Sequence, residues 1–140
     1  MESQCTSLGL KVYKNELDFR KALCKELRLL GWFIQSVEVG AINRGVPDLF
    51  MIKKGISHWV ELKNSKTTFK PYWHIDFREG QQAWLRRHYT HGGHSVVIEA
   101  GKEQMAIHFF SEIIKDNTLT DDYEVVNGFE RLSYLLMGGQ

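Results

Sequence analysis

The sequence predicts a mixed α/β fold, and three observations support this prediction. Apolar side chains recur at helical spacing in two long stretches, and each stretch is closed by glycine. Short segments rich in β-branched and aromatic residues lie between and after these stretches. The chain has 140 residues, 43% of them hydrophobic and 25% charged, which is enough to build one core. We therefore expect a single domain over residues 1–140, with a core at about 15–110 and an appendage at about 111–140.

The helices are predicted from apolar stripes and from the residues that end them. In the first helix, Phe19, Leu23 and Leu27 fall on one face, and Gly31 follows as a stop. The second helix carries its own inward stripe and ends before a Gly-Gly pair. The predicted helices cover residues 15–30, 77–90 and 129–137, with a short helical piece at 111–115.

The strands are predicted from alternation and from turn signals. Lys54 and Gly55 lie between two apolar runs, which indicates a tight hairpin, and the residues around Gly101 indicate a second one. Residues 64–76 are polar and aromatic with one proline, so we expect a loop there. The predicted strands cover residues 32–39, 48–52, 57–63, 95–100 and 105–110.

Charge and hydropathy exclude some classes of function. The formal net charge is +1, with 18 Lys and Arg against 17 Asp and Glu, so nucleic acid would have to bind in a local basic groove. The apolar runs are too short to span a bilayer, and the first residues do not resemble a secretory signal. We therefore expect a cytoplasmic protein with reduced Cys5 and Cys24.

The first hairpin brings chemistry-bearing residues together. If Lys54 and Gly55 form the turn, counting outward places Asp48 opposite Glu61, with Lys63 one step along the same face. Two opposed carboxylates repel each other, and a divalent cation with oxygen ligands would remove that repulsion. The alternative is a surface hairpin with a Glu–Lys ion pair and an aspartate that caps a turn.

Two helical residues could join this site. Glu16 lies on the apolar stripe of the first helix and so points towards the protein, although an acidic residue in the first turn also favours the helix dipole. Gln81 is a polar amide on the inward stripe of the second helix and needs a partner, either a backbone group or a phosphate or metal-bound water.

Other candidate features fit a structural explanation better. His88, His91 and His94 recur every three residues, but Gly92 and Gly93 separate them, which argues against a zinc site. The aromatic residues of the 64–76 loop could stack on an unpaired base, but we favour packing against the core or a partner subunit. Those residues are Phe69, Tyr72 and Trp73.

The strings GVPDLF (45–50), WVELK (59–63) and FREGQQAWLRRHYTHGG (77–93) together resemble a known family. They are similar to the PD-(D/E)xK nuclease superfamily, within it to VRR-NUC nucleases and Holliday-junction resolvases, over roughly residues 15–100. The resemblance implies a restriction-endonuclease-like core of helix, three antiparallel or mixed strands, helix and strand, here with an extra strand and a C-terminal helical tail.

The resemblance also implies an activity, namely Mg²⁺- or Mn²⁺-dependent endonucleolytic hydrolysis of DNA, selective for branched, flap or junction structures, in a possible homodimer. Asp48, Glu61, Lys63 and Gln81 look like the catalytic set, and Asp48, Glu61, the Leu62 carbonyl and Glu16 like the metal ligands. There is one departure: the family's helical glutamate aligns near Arg20, and Glu16 lies one turn earlier.

Two other functions remain open at this point. One is a non-catalytic nuclease-fold module that binds DNA or protein, and the other is a restriction-type endonuclease. A compact nuclease would suit a phage or mobile element. For DNA binding, the candidate cations are Arg44, Lys53, Lys54, Lys66, Lys70 and Arg78, with Arg86 and Arg87 as additions.

Overall fold

A computed structural model describes residues 12–37, 45–65, 73–74, 77–109, 118–119 and 123–139. Within these ranges the chain forms an α/β fold with a six-stranded sheet, a two-stranded sheet and three helices. In chain order the elements are α1 (Glu16–Leu29), β1 (Phe33–Ser36), β2 (Leu49–Lys53), β3 (Ile56–Asn64), β4 (Trp73–His74), α2 (Gln81–Thr90), β5 (Ser95–Ala100), β6 (Met105–Phe109), β7 (Thr118–Leu119), β8 (Tyr123–Val126) and α3 (Phe129–Leu136).

The large sheet has the strand order β1-β2-β3-β5-β6-β8. Its first three strands are antiparallel, β3 and β5 are parallel, and β5, β6 and β8 are antiparallel again. The parallel pairing requires a crossover connection, and α2 lies within that crossover.

Helices cover both faces of the large sheet. The main core contains apolar residues of α1 and α3 together with one face of the strands, including Leu23, Leu132, Val60 and Leu62. On the opposite face, Leu85 of α2 packs against Val97 of β5 in a smaller cluster. The side chains of β3 therefore divide between the face that packs in the main core, where His58 is buried near apolar residues, and the face that α2 covers.

The C-terminal helix is tied to the rest of the core by two hydrogen bonds. The Trp32 Nε1–H donates to Ser133 Oγ at 2.8 Å, and His58 Nε2 lies 2.7 Å from the Leu136 carbonyl oxygen. Both groups are buried, so these contacts satisfy polar atoms within the core.

Much of the predicted order of elements is confirmed. α1 begins one residue after its N-cap Asn15, whose side chain accepts a hydrogen bond from the Asp18 amide. Lys54 and Gly55 both have positive φ, 50° and 81°, which is the backbone of a two-residue type I′ turn. The β5–β6 hairpin and α3 also form where the sequence predicts them.

Some predicted elements are different. α2 begins at Gln81 and not at residue 77, because Gly80 adopts a left-handed conformation with φ 85° and forms the N-cap. Phe77 still packs beside the smaller cluster, which explains why it fits the helical stripe. β1 is shorter than predicted, and β4 lies where only a loop was expected. β7 and β8 were not predicted, and the helical piece at 111–115 lies outside the described residues.

Candidate active site

Three carboxylates from separate parts of the chain converge beside β3, a central strand of the large sheet. Each of Glu16, Asp48 and Glu61 offers an oxygen atom, and these oxygens all lie within 4.8 Å of one another. Glu16 comes from the first turn of α1, Asp48 directly precedes β2, and Glu61 lies within β3. Burial increases along the same series, since Glu16 is exposed, Asp48 is half-buried and Glu61 is buried.

The hairpin sets the position of Asp48 relative to Glu61. Leu49 pairs with Val60 at the end of the β2–β3 ladder, and one further step in the same register sets Asp48 opposite Glu61. Asp48 ends the pairing there, because its side-chain Oδ2 accepts a hydrogen bond from the Leu62 amide at 2.9 Å. Its backbone carbonyl also accepts one from Val37 at 2.9 Å. The predicted opposition of these two acids is therefore confirmed.

Glu61 is held in an environment that disfavours its charge. The residue is only 1% exposed. Burial raises its pKa to about 8, and the neighbouring Asp48 carboxylate adds to this rise, whereas Lys63 and Arg78 oppose it. Burial and Asp48 also raise the pKa of Glu16. Burial and the neighbouring carboxylates therefore favour the protonated form of Glu61 unless a cation is bound.

Gln81 joins Glu61 to Lys63. Its Nε2–H donates to Glu61 Oε2 at 2.7 Å, and its Oε1 accepts from Lys63 Nζ at 2.9 Å. Oε1 also accepts from the Arg78 backbone amide at 2.7 Å, which orients the amide group. The Lys63 ammonium lies 3.7 Å from Glu61 Oε2 and 5.9 Å from the centre of the Phe77 ring. The sequence predicted that Gln81 needs a partner, and a backbone group was one of the alternatives. The structure shows such a group, the Arg78 amide, and also the side chains of Glu61 and Lys63.

The donor set fits a hard divalent cation. Glu61 Oε1 is buried and has no hydrogen-bond partner in the described part of the chain, although such atoms are normally satisfied. The site offers carboxylate oxygens alone, which are the ligands that Mg²⁺ and Mn²⁺ prefer. The amide and carbonyl of a strand residue point to the same side, so the Leu62 carbonyl faces the gap beside Asp48.

Of the basic residues predicted for DNA binding, the structure describes Lys53, Lys54 and Arg78, and of these Arg78 lies beside the carboxylates. Lys54 is exposed at the hairpin turn, at the opposite end of β2 from Asp48. The Lys53 ammonium donates to the Leu30 carbonyl at 2.6 Å, beside the end of α1, so it already has a structural partner. Arg78 is 73% exposed and its guanidinium lies 4.0 Å from Glu61 Oε2. Arg44, Lys66 and Lys70 lie outside the described residues.

The three histidines do not form a metal site. His88 lies beside the aromatic ring of Trp84, and its Nδ1 is 2.7 Å from Ser95 Oγ, as expected for a satisfied residue at the edge of a core. Across the described ranges, the group of Glu16, Asp48 and Glu61 is the only one with three or more ligating side chains in range.

A contact that the sequence did not predict joins the loop before Asp48 to the N-terminus of α2. Gly45 has φ 91°, and a Cβ atom there would overlap the Gly80 carbonyl and lie 3.1 Å from the Gln81 amide. The loop that carries Asp48 and the N-terminus of the helix that carries Gln81 thus touch through two glycines. The string GVPD contained the signal, but a single sequence does not reveal what a glycine approaches.

No protein-family model and no curated protein matches the chain. Among solved structures, it is similar to Hjc of Archaeoglobus fulgidus, a Holliday junction resolvase from an archaeal hyperthermophile, with a TM-score of 0.53 and 17% identity over 74% of this chain and 86% of that one. A VRR_NUC domain matches with a TM-score of 0.46 and 21% identity, over 62% of this chain and 85% of that one. The first match shows a shared fold, and the predicted restriction-endonuclease-like architecture is therefore confirmed.

None of the described helices combines the length and the apolar character that a transmembrane segment needs.

Proposed function

We propose that this chain is a metal-dependent endonuclease that hydrolyses DNA phosphodiester bonds and selects branched, flap or junction structures. The observation that supports this most is the convergence of three carboxylates beside a lysine, with a buried carboxylate oxygen that lacks a protein partner. The fold shared with a Holliday junction resolvase supports the choice of DNA as substrate. The same likeness is the basis for proposing a homodimer, which sedimentation of the purified chain would test.

Asp48 and Glu61 would hold the divalent cation, with the Leu62 carbonyl and Glu16 completing the protein ligands. When bound, the cation would lower the pKa of a water molecule and offset charge on the phosphate. Glu61 must be ionised to bind it, and Lys63 and Arg78 favour that ionised form. The hydrogen bond from Leu62 keeps one Asp48 oxygen oriented, which limits the freedom of the ligand.

Lys63 would contact the reacting groups directly. An ammonium has three N–H donors, and in this structure Gln81 Oε1 accepts one of them. A second donor can orient the attacking water or stabilise the negative charge that develops on the phosphate. Attack in line with the leaving oxygen would give a 5′-phosphate and a 3′-hydroxyl. Gln81 would act as a positioning residue, because it holds both Lys63 and Glu61.

Exposed cations would bind the DNA backbone around this site. Arg78 lies beside the carboxylates, Arg86 and Arg87 are exposed on α2, and Lys54 is exposed at the hairpin turn. Such contacts neutralise phosphates and read no sequence, so affinity should fall steeply as salt is raised. Arg44, Lys53, Lys66 and Lys70 remain further candidates for the same role.

The test is a cleavage panel of labelled linear, flap, fork and four-way DNA with Mg²⁺, with Mn²⁺ and with EDTA. We expect metal-dependent cleavage with a preference for branched substrates, and we expect Glu61→Gln and Lys63→Ala to abolish it while circular dichroism stays unchanged. Glu130→Gln and Lys102→Ala, at exposed positions outside the site, are the matched controls. Cleavage that persists in either site variant would contradict the assigned roles, and binding without cleavage of any substrate would favour the non-catalytic module.

A further inference from the structure

A row of aromatic side chains lies directly beside the carboxylates, on the same face of the sheet. Side chains two positions apart on a strand share a face and lie about 6.8 Å apart. Phe50 is two positions after Asp48, and Trp59 is two positions before Glu61. The ladders pair Gln35 with Phe50 and Phe50 with Trp59, so these three residues form the next cross-strand row after the acids.

One end of this row is covered and the other end is open. Trp84 of α2 packs edge-on against the Trp59 ring at 5.4 Å between centroids, and the Phe50 ring is 5.3 Å from Trp59. Towards the edge strand β1, the described residues show no such cover, since Phe33 is 59% exposed and Gln35 is exposed, while Phe50 and Trp59 are half-buried. We name the surface formed by Phe33, Gln35, Phe50 and Trp59 the aromatic platform, with Trp84 as its wall.

The platform has the composition of a surface that binds a nucleobase. Flat aromatic rings stack on any base, and an amide such as that of Gln35 can donate to and accept from a base edge. A base within a duplex is covered on both faces by its neighbours, so a ring can stack only on an unpaired or terminal base. If the surface instead bound another protein, its position beside the three carboxylates would have no explanation.

The surrounding charges favour a nucleotide as the occupant. Arg78 is exposed and lies beside Glu61, on the carboxylate side of the platform. Lys54 is exposed at the hairpin turn. On the wall of the platform, Arg87 is exposed and lies three positions after Trp84, on the neighbouring part of the α2 surface. Cations around an apolar surface match a ligand in which phosphates surround a base.

We propose that the aromatic platform stacks an unpaired base next to the phosphate that is cut, so that the substrates carry a single-stranded segment at the cleavage position. Phe50 is the central stacking residue and a determinant of specificity, and Gln35 contacts the base edge. This proposal rests on the proposed function, because it defines which DNA the same site accepts.

The first test measures binding in EDTA, where no cleavage occurs. We expect a short oligothymidylate to quench tryptophan fluorescence of the full chain, and a blunt-ended hairpin duplex to quench it much less. Phe50→Ala should weaken binding of the oligothymidylate about 5- to 100-fold by fluorescence anisotropy, and Phe50→Trp should restore it. Phe50→Leu, which keeps an apolar side chain for folding, should behave like the alanine variant. Tyr134→Ala removes an aromatic ring that is 52% exposed on α3 and should change nothing.

The second test measures cleavage with Mg²⁺ on a flap substrate and on the same duplex without the flap. We expect Phe50→Ala to lower kcat/KM for the flap substrate much more than for the duplex. If the variant lowers both equally, or leaves oligothymidylate binding unchanged, the platform proposal is wrong while the nuclease proposal stands. If the variant instead turns a dimer into a monomer without changing oligothymidylate binding, the platform is an interface between copies and the proposal is also wrong. If the wild type cuts neither DNA, the proposed function fails, and the binding test still decides whether the platform stacks bases.

Discussion

At the scale of the residue, the burial of Glu61 has the clearest electrostatic effect, because it raises the pKa of this carboxyl group to about 8. Its carboxyl group is buried between the Asp48 carboxylate and the Gln81 amide, with a pKa near 8 in the absence of metal, where the ordinary value is 4.5. The folded protein therefore holds a proton on this group over a pH range in which the unfolded chain has released it. A cation at the site would replace that proton, so metal binding and ionisation are linked.

The stability of the metal-free protein should depend on pH through Glu61. Because the folded-state pKa is raised, the stability that this group contributes is fully present below about pH 4.5 and is lost as the pH rises through about 8. Burial lowers the pKa of His58, which acts in the opposite sense as the pH falls below about 6.5. The readout is therefore the difference between wild type and Glu61→Gln in thermal melts with EDTA. We expect the Tm of Glu61→Gln, relative to that of wild type, to rise by several degrees between about pH 5 and pH 8.5. A difference in Tm that does not change with pH would contradict the raised pKa.

Gln81 should contribute to stability as well as to the site. Gln81→Ala leaves the buried Glu61 without its amide donor and Lys63 without its acceptor, so we expect the free energy of unfolding in urea to fall by about 1–3 kcal/mol. The matched control is Gln82→Ala, since the Gln82 Nε2 has no hydrogen-bond partner in the described part of the chain. A change within about 0.5 kcal/mol is expected there. Equal losses in the two variants would mean that the network around Gln81 adds nothing to stability.

At the scale of the element, the site depends on a contact between a loop and a helix terminus. Gly45 precedes Asp48 by three positions, and its α-carbon lies against the Gly80 carbonyl at the N-cap of α2. The two glycines allow the loop and the helix to approach closely enough for Asp48 and Gln81 to flank Glu61. A side chain at Gly45 would separate these elements.

Gly45→Ala should therefore be more harmful than a comparable change elsewhere. Gly55→Ala is the matched control, because Gly55 also has positive φ but an added Cβ there meets nothing within 4 Å. The control should lose about 1–2 kcal/mol through backbone strain alone. We expect Gly45→Ala to lose more, and to lower kcat for DNA cleavage besides, as measured by urea unfolding and a cleavage assay. Similar values for both variants would show that the loop moves away without consequence.

The elements that the sequence predicts well are those whose signals are local. The stripe through Phe19, Leu23 and Leu27 and the turn at Lys54 and Gly55 required no distant partner, and the hairpin count correctly opposed Asp48 to Glu61. The predicted start of α2 at residue 77 was wrong. Phe77 packs against the same apolar cluster as Leu85 and so fits the helical pattern, but Gly80 has a left-handed backbone, and the helix begins only after it.

The remaining features arise from contacts that a single sequence does not encode locally. Parallel pairing of β3 with β5 depends on the crossover through α2, not on either strand's own pattern. β8 has only Val126 buried, with Glu124 and Val125 exposed, so it lacks the alternation that would identify a strand. The same holds for the site, where the spacing predicted Asp48 and Glu61 together, but the proximity of Arg78 to Glu61 depends on how α2 docks.

At the scale of the whole molecule, the site is a point of unfavourable charge that the rest of the fold compensates. Glu16, Asp48 and Glu61 come from separate elements, so the repulsion between them opposes the docking of α1 against the sheet. α3 and its hydrogen bonds to Trp32 and His58 belong to the forces that hold the fold together against this repulsion.

A divalent cation should therefore stabilise the whole molecule. A ligand that binds only the folded state at a hundred times its Kd adds about 2.7 kcal/mol, so we expect Mg²⁺ or Mn²⁺ to raise Tm by several degrees in scanning fluorimetry. NaCl at equal ionic strength should not reproduce the shift. Asp48→Asn and Glu61→Gln should each abolish it, and Glu130→Gln should retain it. An equal shift in all three variants would place the cation elsewhere.

The tight turn at Lys54 and Gly55 also limits how the hairpin can change length during evolution. Each residue added or removed in one arm sends every later side chain of that arm to the other surface of the sheet. An odd change in one arm would thus turn the aspartate and the glutamate to opposite faces, and a two-residue change in one arm would leave them on one face but about 6.8 Å out of register. Only equal changes in both arms keep the two acids opposite each other. We therefore expect related chains that keep this chemistry to differ by even numbers of residues between the two acids, unless a bulge absorbs the difference.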